Sequence, residues 1–257
     1  MVKGLYTAYT GMLNQQNKVD VIANNLANAA TTGFKKEGST SEAFDAVLAH
    51  KIKDQTSAAR AKYIGTMNLG VKIGENYVDY SQGAFETTDN TYDLALSGDG
   101  FFCVEFTNKA GETSTKYTRD GSFTLNVDGY LVTKDGDYVL DQSGKRIKLD
   151  PLADVRIDES GTIYQNDRAA ARIGLQDFED YNYLEHYGEN YYQPVDGATP
   201  TTSNARIFEG YLEASNVQVV KEMVELISAT RTYESNQKVI QTIDETLDTA
   251  VNQLGKV

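Results

Sequence analysis

The chain has few of the residues on which cross-links, metal sites and membrane spans depend. It contains one cysteine, Cys103, so no intrachain disulfide is possible. Its two histidines, His50 and His186, leave too few nitrogen and sulfur ligands for a zinc site, and we expect no metal and no cofactor. No apolar run approaches the roughly 20 residues of a membrane-spanning helix, so we expect no membrane insertion. The first residues lack the apolar core and cleavage site of a secretory signal.

Motifs for catalysis are also missing. Gly98-Asp99-Gly100 begins like a dinucleotide-binding fingerprint, but Cys103 stands where the third glycine belongs. The sequence has neither the Gly-x-Ser-x-Gly elbow of a hydrolase nor the loop of an EF-hand. We therefore expect no catalytic residues, and we interpret the protein as a non-enzyme.

The negative charge is concentrated in the middle of the chain. Residues 1–62 carry eight lysines and arginines against five aspartates and glutamates. Residues 63–210 carry twelve against twenty-five, and residues 211–257 carry four against seven. Because phosphate contacts need clustered basic side chains, this distribution argues against nucleic-acid binding by the middle.

Both ends of the chain show apolar residues at alternating steps of three and four, the rhythm of a coiled-coil seam. The first row consists of Leu5, Ala8, Met12, Gln15, Val19, Ile22, Leu26 and Ala29. The second row consists of Val219, Met223, Leu226, Thr230, Tyr233, Gln237, Ile240, Asp244, Leu247, Val251 and Leu254. These rows predict one helix at each terminus.

The C-terminal helix is predicted to be long. Ser215 and Gln218 have the spacing of a capping box, and Gly255 stands where a helix would end. A helix over 216–254 would span about 58 Å at 1.5 Å per residue, which is longer than the middle domain is wide. Such a helix needs a partner beyond its own core. The alternative, an amphipathic helix folded onto that core, remains open.

Between residues 71 and 178 the apolar period changes to two, which predicts an antiparallel β domain. The strand runs are Leu94/Leu96, Phe102/Val104/Phe106, Phe123/Leu125/Val127, Tyr138/Leu140, Ile147/Leu149, Val155/Ile157 and Ile163. Asp-Gly and Ser-Gly pairs separate these runs, and they predict type I′ hairpin turns. The fold class is therefore α+β, with a mainly β middle.

The remaining segments are less regular. Residues 35–65 are predicted to form a short helix, which includes His50, followed by an extended arm. Residues 182–206, which include His186, read as a long loop. The predicted domains are a discontinuous helical assembly domain (1–34 and 215–257), an extension arm (35–65) and a central β-rich domain (66–214).

Three motifs, in the same order along the chain, resemble the bacterial flagellar rod and hook proteins. The first is Val21-Ile22-Ala23-Asn24-Asn25-Leu26-Ala27-Asn28-Ala29-Ala30-Thr31-Thr32-Gly33-Phe34-Lys35. The second comprises Leu94-Ala95-Leu96-Ser97-Gly98-Asp99-Gly100-Phe101-Phe102, Tyr117-Thr118-Arg119-Asp120-Gly121-Ser122-Phe123 and Asp128-Gly129-Tyr130-Leu131-Val132. The third comprises Glu213-Ala214-Ser215-Asn216-Val217, Glu222-Met223-Val224 and Arg231-Thr232-Tyr233-Glu234-Ser235-Asn236-Gln237-Lys238.

The resemblance implies a structural subunit of the flagellar basal body that polymerises into the axial tube through paired terminal helices. It also implies contacts with other rod and hook proteins, and export through the flagellar type III apparatus without a cleaved signal. The single β domain is most similar to distal rod proteins, and the alternatives are the proximal rod sister and a hook-type subunit. A soluble module that binds cell-wall glycans is the alternative from another class.

The predicted assembly interface combines both seams with the asparagines at the end of the first helix. Its residues are Leu5, Met12, Val19, Ile22, Asn24, Asn25, Leu26, Asn28, Val219, Met223, Leu226, Tyr233, Ile240, Leu247, Val251 and Leu254. The asparagines either contact neighbouring subunits or satisfy the helix end and the loop after it. Asn24 and Asn28 are expected to share a helix face, which favours contacts with neighbours.

Overall fold

The computed structural model describes residues 2–51, 62–108, 111–188 and 190–254. Contacts divide the chain into two compact units. The helical unit contains residues 1–27, 37–79 and 218–257, and the β unit contains residues 28–36 and 80–217. The contacts thus group residues 66–79 with the helices, whereas the sequence placed them in the central domain.

Among its described residues, the helical unit contains two helices and four strands. The helices are α1 (Val2–Ala27) and α2 (Val219–Thr249), and a π-helical segment (Ala250–Leu254) continues α2. The strands are β1 (Glu37–Ala43), β2 (Val47–Lys51), β3 (Lys62–Met67) and β4 (Val71–Val78). Strand β1 pairs antiparallel with β4, and β2 pairs antiparallel with β3.

The two helices pack antiparallel at glycines of α1. A Cβ at Gly4 would lie 3.7 Å from Ile243 Cδ1, and a Cβ at Gly11 would lie 3.1 Å from Asn236 Nδ2. Residue numbers therefore rise on α1 as they fall on α2. At both glycines, the numbers of the two facing residues add to 247.

The predicted helix within residues 35–65 is wrong, because the described part of this segment, 35–51 and 62–65, contains β1, β2 and the start of β3. Asn14 Nδ2 donates to Ser41 Oγ at 2.8 Å, and Thr7 Oγ1 donates to the Leu69 carbonyl oxygen at 3.1 Å. These contacts hold the β1–β4 pair against α1. His50 belongs to β2 and not to a helix. The rest of the predicted segment lies outside the described residues.

The β unit contains sixteen short strands and one 3₁₀ turn among its described residues. The strands are β5 (Phe85–Thr87), β6 (Leu94–Ser97), β7 (Phe101–Thr107), β8 (Thr113–Thr118), β9 (Phe123–Leu125), β10 (Leu131–Thr133), β11 (Tyr138–Val139), β12 (Val155–Ile157), β13 (Thr162–Gln165), β14 (Arg168–Arg172), β15 (Leu175–Phe178), β16 (Leu184–Tyr187), β17 (Tyr191–Pro194), β18 (Pro200–Thr201), β19 (Arg206–Glu209) and β20 (Tyr211–Glu213). The 3₁₀ turn is Tyr181–Tyr183.

The largest sheet has the strand order β16-β17-β8-β7-β11-β10-β9, and β15 pairs with both β7 and β18. Three further groups are β12-β13-β14, β19-β6 and β20-β5. Every pair is antiparallel, which confirms the α+β class with an antiparallel β middle. The core contains Leu94, Leu96, Phe102, Val104, Phe123, Leu131, Val139, Ile147, Leu149, Ile157, Ile163, Ile173, Tyr191 and Ile207.

Hairpins form at Asp128-Gly129, Asp135-Gly136, Ser143-Gly144 and Ser160-Gly161, as predicted, but the predicted turn type is wrong. Asp99-Gly100 and Asp120-Gly121 connect strands that do not pair with each other, so the predicted hairpins are wrong at these two pairs. In the turn after Thr133, only Gly136 has a positive φ, and the Thr133 amide donates to the Asp137 carbonyl oxygen. This is a three-residue loop with a glycine bulge. The same pattern of hydrogen bonds recurs after Asn108, Asn126, Asp141 and Asp158.

The two-residue turn lies elsewhere. Asn166 and Asp167 have φ values of 50° and 61° and connect β13 to β14. Positive φ at both central residues is the requirement of a type I′ turn, and asparagine and aspartate tolerate it better than most side chains. Sequence reasoning missed this turn because it searched for glycine.

Two other local predictions differ from the structure. Residues 182–206 contain β16, β17 and β18, so the predicted long loop is wrong and His186 lies in a strand. Tyrosines drive this folding, since Tyr191 and Tyr192 are buried in the β unit. Val127 was assigned to a strand but lies in a turn, fully exposed.

The predicted capping box of α2 is also wrong. The N-cap residue is Gln218, which makes no side-chain capping bond, and Ser215 Oγ instead accepts from the Val217 amide at 3.3 Å. The helix therefore begins at Val219, later than the box requires. Gly255, the predicted terminator, lies outside the described residues.

We predict that Gly121→Ala strongly destabilises the β unit. A Cβ at Gly121 would overlap the carbonyl oxygen of Leu94, whose amide also bonds to the Gly121 carbonyl at 3.0 Å. Because main chain would have to move, the free energy of unfolding should fall by about 3 kcal/mol or more in urea denaturation. Gly136→Ala is the control. It strains a positive φ without a clash in the described part of the chain, so it should cost about 1–2 kcal/mol. Equal losses of unfolding free energy in the two variants would contradict the close approach of Gly121 to the Leu94 main chain.

Candidate assembly surface

The seam predicted on α1 faces inward. Ala8 and Ile22 are buried, and Leu5, Met12, Val19 and Leu26 are partly buried. Because helix positions at steps of three and four share one side, these residues line a continuous strip beside α2. Their arrangement is that of an intrachain contact.

The inward face of α2 is not identical to the predicted row. At every second position of that row, the residue just before it in the sequence faces inward instead. The buried and partly buried residues of α2 are Glu222, Glu225, Leu226, Ala229, Tyr233, Asn236, Ile240 and Ile243. Leu226, Tyr233 and Ile240 belong to both rows. The observed face has Glu222 where the prediction has Met223, and it includes Ile243 and Asn236, which lie opposite Gly4 and Gly11.

The other predicted α2 residues point away from α1 or sit at its margin. Val219, Met223 and Val251 are exposed, and Leu247 is 37% exposed. The side chain of Leu254 lies outside what the structure describes. Val220, Val224 and Ile227, which sequence reasoning missed, are 78%, 62% and 53% exposed. This exposed apolar row is the candidate assembly surface of α2.

The asparagines at the end of α1 serve different purposes. Asn25 is fully buried, and its side chain exchanges two hydrogen bonds with the main chain of Glu37, at 2.8 Å and 2.9 Å. The Asn25 side chain thus makes the two hydrogen bonds that a neighbouring strand would make with the first residue of β1. Asn28 directly follows the last residue of α1, and its shared face with Asn24 stays a prediction. Its side chain accepts from Thr31 Oγ1 at 3.3 Å.

Inside the β unit, a buried ionic cluster joins three distant parts of the sequence. Lys35 Nζ lies 2.6 Å from Glu213 Oε1, and Arg119 Nη1 lies 3.5 Å from Glu213 Oε2. The three side chains are at most 2% exposed. Lys35 also donates to the Ser81 carbonyl oxygen at 2.9 Å, and the Gly83 amide donates to Glu213 at 2.9 Å. These hydrogen bonds offset the cost of burying charge.

Main-chain contacts tie the same segments together. The Gly33 amide donates to the Glu213 carbonyl oxygen at 2.7 Å, and the Lys36 amide donates to Asn216 Oδ1 at 2.8 Å. The first of these segments follows α1 in sequence and the second precedes α2. The chain therefore enters and leaves the β unit at adjacent points.

The structure gives the residues considered for chemistry no reactive setting. Burial raises the pKa of the Cys103 thiol to about 12, which suppresses the nucleophilic thiolate. Within the described ranges, no group of three or more His, Cys, Asp and Glu side chains could hold a metal ion. No described helix is both long and apolar enough to cross a membrane.

Comparison with known proteins matches the chain along most of its length. Residues 5–35 match the flagella basal body rod protein family, residues 95–165 the flagellar hook protein FlgE/F/G D1 domain, and residues 209–254 the flagellar basal body rod FlgEFG protein C-terminal domain. The chain is 37% identical to the flagellar basal-body rod protein FlgF of Caulobacter vibrioides, with both chains covered completely. It is 36% identical to the flagellar basal-body rod protein FlgG of Bacillus subtilis, over 98% of this chain and 99% of the relative. A third relative, the flagellar hook-basal body complex protein FlhO of Bacillus subtilis, is 31% identical over all of both chains.

The chain belongs to the flagellar rod and hook protein family. Each of the three motifs that resemble this family supplies one member of the ionic cluster. Lys35 ends the first motif, Arg119 lies in the second, and Glu213 opens a segment of the third. Sequence reasoning missed the cluster, although charged residues within motifs far apart in the chain were the signal for it.

We predict that Glu213→Gln lowers the free energy of unfolding by about 3–5 kcal/mol, because it leaves two buried cations without their carboxylate. Glu159→Gln is the matched control, since Glu159 and Arg206 form an exposed pair at 3.7 Å. That change should cost less than about 1 kcal/mol. Urea denaturation measures both, and similar small losses would show that the cluster does not stabilise the β unit.

We also predict that the Cys103 thiol is protected in the folded protein. At pH 8, alkylation by iodoacetamide should be at least about 100-fold slower than in urea-unfolded chain, because the raised pKa of Cys103 and its burial both limit attack. Mass spectrometry against time gives both rates. Comparable rates would mean that the β7–β8 region opens freely.

Proposed function

We propose that the protein is a structural subunit of the flagellar basal-body rod and that it polymerises through its paired helices. The observation that carries this proposal is the outward apolar row on α2, which includes Val220, Val224 and Ile227. The intrachain seam already occupies the opposite face of α2. A second apolar face on a paired helix is suited to neighbouring subunits.

Membership of the rod and hook family supports a location in the basal body and assembly with other rod and hook proteins. We further propose export through the flagellar type III apparatus without signal cleavage, and we retain the distal rod as the predicted position. The interface residues predicted from the sequence divide into two roles in this proposal. Ile22, Leu26 and Tyr233 hold the helices of one subunit together, and Met223 and Val251 face other subunits.

We predict that Val224→Asp and Ile22→Asp fail in different ways. Ile22 is 3% exposed, so a carboxylate there should destabilise the helical unit by several kcal/mol and lower its melting temperature. Val224 belongs to the outward row and is 62% exposed, so its variant should remain folded while polymerising poorly. Circular dichroism measures folding, and sedimentation with negative-stain microscopy measures polymer.

Val127→Asp is the control, because Val127 is a fully exposed residue of the β unit. It should affect neither measurement. A Val224→Asp variant that polymerises like the parent would count against the role of the outward row. Retention of monomeric protein by purified cell-wall material, with no polymer under any condition, would favour the glycan-binding alternative.

A further inference from the structure

The β unit contains a cavity of about 560 Å³ that combines aromatic rings with hydrogen-bonding groups. The segments that follow α1, β8, β10 and β16 supply most of its lining. Its volume falls within the roughly 300–1,000 Å³ of small-molecule sites. Among the described residues that line it, none belongs to the assembly surface proposed for the helices. A role for this cavity is therefore additional to polymerisation.

Part of the lining is aromatic. Tyr187 is 39% exposed, and its ring lies 5.4 Å from the ring of Phe106 in an edge-to-face arrangement. Phe106 also contacts Tyr191, with 6.0 Å between the two ring centroids. These contacts hold the rings in place, so Tyr187 presents a partly open apolar surface to a ligand.

The polar part of the lining offers hydrogen-bond acceptors. Asn190 Nδ2 donates to the Thr32 carbonyl oxygen at 2.7 Å, which fixes the orientation of the amide. Asn190 Oδ1 is buried and has no hydrogen-bond partner among the described residues. Asp135 lines the same cavity and is exposed. Because buried acceptors without a donor are rare in folded proteins, Asn190 indicates a ligand that brings a donor.

The charges at the cavity argue against an anion or a simple cation as the ligand. The lining includes three aspartates, Asp120, Asp135 and Asp137. An anion would be repelled by them. Lys134 also lines the cavity, and Lys116 Nζ lies 3.8 Å from the centroid of the Tyr187 ring. An ammonium ligand at this ring would therefore meet a cation that is already there. These charges favour a neutral ligand that both donates and accepts hydrogen bonds.

We propose that this cavity is a binding site for a neutral oligosaccharide. A pyranose ring has apolar C–H faces, which pack on an aromatic ring such as that of Tyr187. Its hydroxyl groups donate to acceptors such as Asn190 Oδ1 and Asp135, and they accept from the Lys134 ammonium. The site adds a function to the proposed rod subunit and does not rest on polymerisation.

Binding of soluble tetrasaccharides by the full chain tests the site. The probes are chitotetraose, cellotetraose and maltotetraose, and saturation-transfer NMR with isothermal titration calorimetry measures their binding. We expect saturable binding of at least one probe. Tyr187→Ala should weaken it by about tenfold or more, because the apolar surface for the pyranose ring is lost. Tyr183→Ala is the matched control, since Tyr183 is 45% exposed and lies outside the lining, and it should bind like the parent.

Asp135→Ala is the second variant, because Tyr187 also packs on Phe106 and its loss can disturb the fold. Asp135 is exposed in a turn, so its replacement removes an acceptor and keeps the aromatic rings. It should weaken binding by about threefold or more. Asp128→Ala is its control, since Asp128 is exposed at the same position of a turn with the same hydrogen bonds, outside the cavity. Circular dichroism checks that each variant is folded.

The outcomes decide both the site and its ligand. Saturable binding that the folded cavity variants weaken and the two controls preserve supports the site. No binding of any probe, or equal weakening by a cavity variant and its control, overturns it. Tighter binding of the polyamine spermidine than of every tetrasaccharide, lost in Asp135→Ala, overturns the ligand class. Sedimentation measures polymerisation separately, so failure of this site leaves the proposed rod subunit standing.

Discussion

The β unit depends on one buried carboxylate. Glu213 binds Lys35 and Arg119, and it accepts a main-chain hydrogen bond from Gly83. Its own carbonyl oxygen accepts from Gly33, so a single residue joins the segment after α1, the second motif and the segment before α2. A buried ion pair raises the free energy of unfolding little more than well-packed apolar residues would, but removing one partner of the pair lowers it strongly. The cluster therefore acts mainly to specify where the chain enters and leaves the β unit.

Polar side chains also fix the main chain within the helical unit. Asn25 is fully buried, and its side chain binds the main chain of Glu37 in place of a neighbouring strand. In each unit, a buried polar side chain with no unusual chemistry therefore holds main-chain segments in place.

The periodicity of apolar residues predicted the main helices and strands, whereas short local motifs did not predict how α2 begins. The terminal helices and the antiparallel β middle were predicted from apolar residues that recur about every 3.5 and every 2 residues. Such a repeat indicates one buried side of a helix or a strand. The capping box failed because Ser215 bonds to the nearer Val217 amide, a competition that spacing alone does not reveal. The strands around Tyr191 and Tyr192 were missed because tyrosine, proline and asparagine there resemble a loop until the aromatic packing is known. The ionic cluster was missed because its members are far apart in sequence.

The predicted heptad row of α2 differs by one residue from the observed inward face at several positions, which shows that such a row can combine inward and outward residues. The sequence row includes Leu226 and Tyr233, which contact α1, and also Met223 and Val251, which face outward. A row of apolar residues reports the total apolar surface of a helix, but not how that surface is shared between its own chain and other chains. The packing of α1 decides the division. Gly4 and Gly11 face Ile243 and Asn236, so α1 covers the side of α2 that carries these residues, and Met223, Val224 and Ile227 remain exposed, where we propose that a polymer uses them.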